Sequence, residues 1–189
     1  MGYQLGGQSH TGAVRKSNQD VVDWRLAESA NRALLVVADG MGGHQGGEVA
    51  SRLAVDAVME SLGQALATAP ADVPDSEIRE LLDRAFALAN DRIKSRRTAE
   101  PELEKMGTTL VAAWVSGNRA YIAHIGDSRC YRLRKRQAVC LTRDDTVVQN
   151  MLEDGSITQA DVPHVPFRNV LTRAVGSVDE AKPTHCTQI

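Results

Sequence analysis

The chain has few features that would mark a special environment. It holds three cysteines in 189 residues, Cys130, Cys140 and Cys186, and none forms a CxxC pair. An odd count without a secretion signal reads as free thiols in a reducing compartment, so the expected localisation is cytoplasmic. There is no excess of charge. Lys and Arg total 22 against 24 Asp and Glu, a formal net charge of −2, which leaves no electrostatic footprint for a nucleic-acid partner. The longest apolar runs, 33–38 and 110–115, are far too short to span a bilayer, so no membrane partner is expected. No charged-then-apolar signal segment opens the chain. Gly6 stands where an N-myristoylation signal requires Ser or Thr. There is no internal repeat and no low-complexity tract.

What is present suits an ordinary globular domain. The content is 42% hydrophobic and 24% charged, and the length fits one domain, taken as 1–189. Residues 33–38 form a continuous apolar run that predicts a strand buried on both faces. Val49, Leu53, Val58 and Leu62, with Ala50, Ala54 and Ala57, recur at helical spacing. Two prolines mark 67–74 as a connector. Asp75 is a candidate cap for a second helix with the stripe Ile78, Leu82, Ala85, Phe86, Ala89 and Ile93. The period then changes. Runs 108–115, 119–125 and 129–133 read as strands, the first two joined by the hairpin signal Ser116-Gly117-Asn118. A helix is predicted over 145–152, stopped by Asp154-Gly155, and a further strand over 169–175. Strands, a helix pair, then strands again predict an α+β architecture of antiparallel sheet and helices.

The stretch "VVADGMGGHQGG" (36–47) is the first candidate site. It puts Asp39 at the end of a β-rich run and follows it with five glycines in eight residues. Glycine is favoured where the backbone turns sharply or approaches something closely. Three readings fit. One is a tight structural turn. The second is a phosphate loop, but GxxxxGK[ST] is absent, and GxGxxG fails because Gln45 stands where its third glycine belongs. The third is a hard-metal site, in which the Asp39 carboxylate and the Gly40 carbonyl share an ion that keeps several waters. Asp127 in "HIGDSR" (124–129) and Asp20 in "RKSNQD" (15–20) have similar surroundings.

Six blocks occur in order: "RKSNQD", "ADGMGGHQGGEVAS", "MGTTLVAA", "AHIGDSRCYRL", "LTRDDTVVQ" and "NVLTRAVG". This order resembles the metal-dependent protein phosphatases, the type 2C family, in their compact bacterial branch. The resemblance covers 8–181. It implies an α-β-β-α sandwich: two antiparallel sheets face to face, flanked by helices. It implies Mn²⁺ or Mg²⁺, two ions in the complete family site and a third in bacterial members. Asp39 matches the carboxylate bridging two ions, and Gly40 the residue lending its carbonyl. Asp20 matches the acid that holds metal-bound water. Arg15 matches the arginine on the substrate phosphate, and Asp127 a ligand of the third ion. The segment 145–168 matches a mobile flap.

The implied activity is metal-dependent hydrolysis of phosphoserine and phosphothreonine in proteins. The substrate would be a phosphorylated protein and the counterpart a bacterial-type Ser/Thr kinase. Met41 stands where animal-type members place a histidine. His44 is off register and reads as a loop residue rather than a general acid. His124 reads as structural, and Cys130 and Cys140 as core or sheet residues. Family members continue past "NVLTRAVG" with a strand ending in Ser-Asp-Gly and a later Asp-Asn pair, whose aspartates complete the first ion's shell. Neither follows here, so the expected domain is incomplete, missing C-terminal strands and a helix, with impaired activity on its own. The alternative is a non-catalytic remnant or a phosphoprotein-binding, regulatory module.

Overall fold

Alternation along β1 (Asp20–Ala27) and β2 (Arg32–Met41) decides what the first strand pair covers. The computed structural model describes residues 2–42, 46–70 and 72–188. In β2, Leu34, Val36 and Ala38 are at most 1% exposed, whereas Val37 between them is 39% exposed. The even positions meet the helices and the odd ones point to the opposite face, as a period of two requires.

Helix α1 (Gly46–Thr68) and helix α2 (Asp75–Ala99) cover the inner face. Ala50, Ala54, Val55, Ala57, Val58, Leu62 and Leu66 of α1 are fully buried. The small residues let the helix lie close to the sheet, and each buried Leu or Val contributes roughly 1.5–3 kcal/mol. Val49 and Leu53 pack at the margin rather than at the centre of the stripe. On α2, Ile78, Leu82, Ala85, Phe86, Ala89 and Ile93 are all buried, as their spacing predicts. Arg32, only 2% exposed, donates to the carbonyls of Leu66, Ala69 and Pro70. A buried guanidinium thus satisfies the C-terminal carbonyls of α1.

The main antiparallel sheet follows the order β1, β2, β4 (Leu110–Ser116), β5 (Arg119–Ile125), β8 (Thr184–Gln188), with β3 (Gly107–Thr108) pairing β2 off this path. Strands β4 and β5 form the expected hairpin, with Gly117 at φ +57 in its turn. Strand β8 closes the edge beside β5. Strands β6 (Tyr131–Arg134) and β7 (Gln137–Cys140) make a second, two-stranded antiparallel sheet. With α3 (Val147–Glu153), the described fold is α+β, with two antiparallel sheets and three α-helices.

Several expectations need correction. Asp75 does not cap α2: Pro74 is the N-cap, and Asp75 lies in the first turn. Its carboxylate instead accepts from the Tyr121 hydroxyl at 2.7 Å and from Arg119 at 2.9 Å. Helix α3 starts at Val147, because the Thr146 hydroxyl accepts from the Gln149 N–H and fixes the cap. Residues 169–175 form no strand among the described residues; they contribute two isolated bridges, Thr146↔Leu171 and Thr108↔Val175. The run 108–115 splits at Thr109, whose amide bonds Asp39 instead of extending one ladder. Cys140 is a sheet residue at the exposed end of β7, as expected, but Cys130 is neither core nor strand: it is half-buried just before β6. Residues 184–188, with no strand expected, form β8.

The outer face of the main sheet is unevenly covered. Ile122 and His124 are 1% exposed, while Trp24 and Val37 are 38% and 39% exposed. Val22, Trp24, Leu35 and Val37 form a continuous apolar lining there. Such a patch favours association. The protein is expected to bind a hydrophobic dye and to self-associate as concentration rises, and Val37→Lys should reduce both. Light scattering across a dilution series checks this; a concentrated, monodisperse wild-type monomer without dye binding would contradict it.

Candidate active site

The site begins with register. In the β1–β2 pair, Asp20 stands directly opposite Asp39. Directly paired residues of antiparallel strands carry their side chains on the same face, about 4.5–5.5 Å apart at Cβ. The fold therefore places two carboxylates side by side at one end of the sheet.

Short bonds fix each of them. The Asp39 N–H donates to the Thr109 hydroxyl at 3.0 Å. The Asp39 carbonyl accepts from the Thr109 N–H at 2.9 Å and the Thr108 hydroxyl at 2.8 Å. The Asp20 N–H donates to the Asn18 side chain at 3.1 Å, and Asn18 donates to the Ser9 hydroxyl at 2.6 Å. The loop before β1 thus holds Asp20 through its own side chains.

The glycines after Asp39 have a packing reason. A Cβ on Gly40 would sit 1.9 Å from the Gly47 carbonyl oxygen and 2.8 Å from that of Gln19. The end of β2 lies directly against the first turn of α1, with the loop before β1 on the other side. Backbone meets backbone there, and only glycine fits. Gly126 is the second such point. It has φ +101, and a Cβ on it would lie 2.7 Å from a Thr109 methyl. Thr109 in turn is 2.7 Å from the Ser128 hydroxyl. Thr109 therefore ties the Asp39 strand end to the Gly126-Asp127-Ser128 turn.

Arg15, Asp20, Asp39 and Gly40 line one cleft of about 650 Å³, together with His10, Lys16 and Met41. Asp127 is half-buried beside it. His44 lies outside the described residues. His124 is buried, with burial pushing its imidazole pKa down, and fits a structural residue. Sequence reading did not single out His10, Lys16 or Thr109. The first two sit in or just before the "RKSNQD" block, and Thr109 in "MGTTLVAA", so position within the blocks was the available signal.

Negative charge is concentrated and only partly met. The Asp39 carboxyl is pushed up to about 6, first by burial, then by the charge and hydrogen bond of Asp20 and by the charge of Asp127; Arg15 opposes this. Asp127 is also raised, first by burial and then by Asp144. Arg129 does not relieve Asp127 fully, because it forms a bidentate pair with Asp144 at 2.8 and 2.6 Å. Oxygen donors carrying excess negative charge suit a hard cation. Among the described residues no three His, Cys, Asp or Glu side chains are placed to hold one ion together. The fit is to a cation that keeps most of its water, as Mg²⁺ and Mn²⁺ do.

A raised carboxylate pKa has a defined sign in stability. Between about pH 4 and 6 the folded chain holds a proton on Asp39 that the unfolded chain has released, so stability falls as pH rises through that window. Asp39→Asn should therefore melt higher than wild type in EDTA at pH 7.5, by on the order of 2–4 °C for each kcal/mol of relieved repulsion. At pH 4 the gain should vanish. Thermal melts at the two pH values check it; equal melting points at pH 7.5 would show that Asp20 and Asp127 do not strain Asp39.

Comparison with known proteins gives the family. The sequence profile of the family described as "Protein phosphatase 2C" matches residues 7–162. The serine/threonine protein phosphatase PstP of Mycobacterium tuberculosis is 40% identical over 177 residues, covering 94% of this chain and 32% of that protein. The chain thus spans about a third of that relative's length. The protein phosphatase PhpP of Streptococcus pneumoniae is 34% identical over 178 residues, 94% of this chain and 70% of that one. The crystal structure of the PstP catalytic domain in complex with two manganese ions superposes with a TM-score of 0.75 at 38% identity, covering 96% of this chain and 70% of that one. With the profile spanning most of its length, the chain belongs to the protein phosphatase 2C family, the metal-dependent protein phosphatases.

Proposed function

We propose that this chain carries the phosphate-binding and cation-binding core of a protein serine/threonine phosphatase. One observation carries the reading: the directly opposed Asp20–Asp39 pair opens into the same cleft as Arg15, with Asp127 close enough to raise Asp39. The two manganese ions of the PstP structure support a divalent cation here. Asp39 and the Gly40 carbonyl would hold Mn²⁺ or Mg²⁺ directly, Asp20 would steady its water, and Asp127 would hold a further ion. When bound, such ions lower the pKa of water and offset charge on phosphoryl oxygens.

The remaining work falls to the chain. Arg15, exposed on the cleft wall, offers a planar fork that matches two phosphate oxygens. It would orient a phosphomonoester toward the acid pair. Asp20 and Asp39, as acceptors, would align a water's protons and steer its lone pair toward phosphorus. No side-chain nucleophile is needed, and the three thiols are not in the cleft. The substrate would be a phosphoprotein, opposed by a Ser/Thr protein kinase, in the cytoplasm. None of the helices among the described residues is long and apolar enough to cross a membrane.

A second reading is a module that binds phosphoprotein without turnover. It is favoured by the lack of any three described side chains converging on one ion. On the same ground we expect the chain alone to hold cations weakly and turn over slowly. Phosphothreonine-peptide hydrolysis with and without Mn²⁺ separates the readings. The phosphatase reading expects Mn²⁺-dependent turnover that Asp39→Asn reduces by about 100-fold or more, and that Arg15→Ala weakens mainly through KM. Peptide binding that survives Asp39→Asn, is lost with Arg15→Ala and never leads to turnover would establish the module instead.

A further inference from the structure

Asp145 is a carboxylate 3% exposed that does not line the cleft of Asp20 and Asp39. Its Oδ2 accepts from the Gly126 N–H at 3.0 Å, while its own N–H donates to the Gly126 carbonyl at 3.0 Å. Two reciprocal bonds therefore grip the residue immediately before Asp127. A buried charge needs partners. Here Arg173 stands 3.5 Å away and Arg143 3.8 Å.

Asp145 stands where a long excursion of the chain leaves and returns. At the entry, Thr146 caps α3 and the Val147 N–H donates to the Val170 carbonyl at 3.0 Å. At the exit, the Thr172 N–H donates to the Asp145 carbonyl at 2.8 Å, and Leu171 bridges Thr146. Arg143 then reaches into the excursion, bonding Glu153 at 2.7 and 2.5 Å and Asn150 at 2.6 Å. Residues 147–170 thus leave and return at one point, and that point holds the Gly126-Asp127 turn. Gly126 has φ +101, a conformation open to glycine and closed to most other residues.

We infer that Asp145 is a positioning residue that couples the Asp127 carboxylate to the 147–170 segment, so that a cation on Asp127 and the bonded arrangement of that segment's ends stabilise each other. The inference rests on the reading of Asp127 as a cation ligand. A cation fixes the turn, the turn fixes Asp145, and Asp145 holds the exit at Thr172 and precedes the Thr146 cap at the entry. Coupling of this kind is reciprocal, so disturbing Asp145 must weaken the cation.

The test uses the 189-residue chain, Mn²⁺ titration calorimetry and limited trypsin cleavage at the exposed Arg168. Asp127→Asn should remove one class of Mn²⁺ site. Asp145→Ala should weaken that class by about 10–100-fold, the usual effect of removing a ligand's supporting partner. Asp145→Asn keeps an oxygen for the Gly126 N–H and should lose less. It also keeps the test open if the alanine variant does not fold. The double variant Asp127→Asn/Asp145→Asn should bind no more weakly than Asp127→Asn, because both act on one site. Mn²⁺ should slow cleavage at Arg168 in wild type and not in Asp127→Asn. If Asp127→Asn weakens Mn²⁺ binding but folded Asp145 variants do not, the coupling is wrong and the cation reading stands. Should Asp127→Asn leave Mn²⁺ binding unchanged, the cation reading fails and the coupling with it.

Discussion

The backbone contact between Gly40 and Gly47 is the constraint on which the rest depends. With a Cβ on Gly40 placed 1.9 Å from a carbonyl oxygen, nothing larger than glycine can join the end of β2 to the start of α1. That closeness lets Gln19 lie against both, its carbonyl accepting from the Gly40 N–H at 3.0 Å. The loop before β1 is thereby seated, and with it the register that puts Asp20 opposite Asp39. A displaced helix would move the strand end, and Thr109 would lose its grip on Asp39. A carboxylate pair produced by strand register is only as exact as the contact that stops the strands from sliding.

Charge is handled differently at the site than elsewhere. Arg32 is buried, but it meets the terminal carbonyls of α1. Asp145 is buried, but it lies between two arginines and accepts an amide hydrogen. Asp75 is answered by Tyr121 and Arg119. At Asp39 the neighbours are mostly of the same sign, and Arg15 is the opposing charge. A fold that compensates charge in its interior and leaves it uncompensated in one cleft stores an affinity for cations there.

The sequence carried the fold wherever one physical signal acted alone. The stripe on α2 and the β4–β5 hairpin follow from period and turn chemistry; the run 33–38, expected to be buried on both faces, is buried on one only, with Val37 39% exposed on the other. It carried the candidate site residues through the ordered blocks, and the structure brings Arg15, Asp20, Asp39 and Gly40 into one cleft, with Asp127 beside it. It failed where a distant partner overrode a local preference. Asp75 has the chemistry of a cap, but Tyr121, 46 residues away, takes its carboxylate. Residues 169–175 have β character, but their amides bond Asp145 and Thr108 singly instead of forming a ladder. Residues 184–188 become a strand because β5 offers an edge, which no local pattern announces. Asp145 was invisible as an anchor because its partners, Gly126, Arg173 and Thr172, are spread across the chain.

The site's three chain segments differ in how they are held, and this bears on what can move. Asp20 and Asp39 are fixed by sheet register and backbone bonds, which change only if strands separate. Asp127 lies in a turn supported from outside the sheet, through Thr109 and Ser128 on one side and Asp145 on the other. A turn of that kind can shift without breaking a strand ladder. Asp145 in turn lies against a segment, Thr146 to Thr172, whose ends are held by single bonds and one bridge between Thr146 and Leu171. Local opening starts where few bonds hold a segment. The Asp20–Asp39 pair is therefore the rigid half of the cleft, and Asp127 the half whose position answers to another part of the chain.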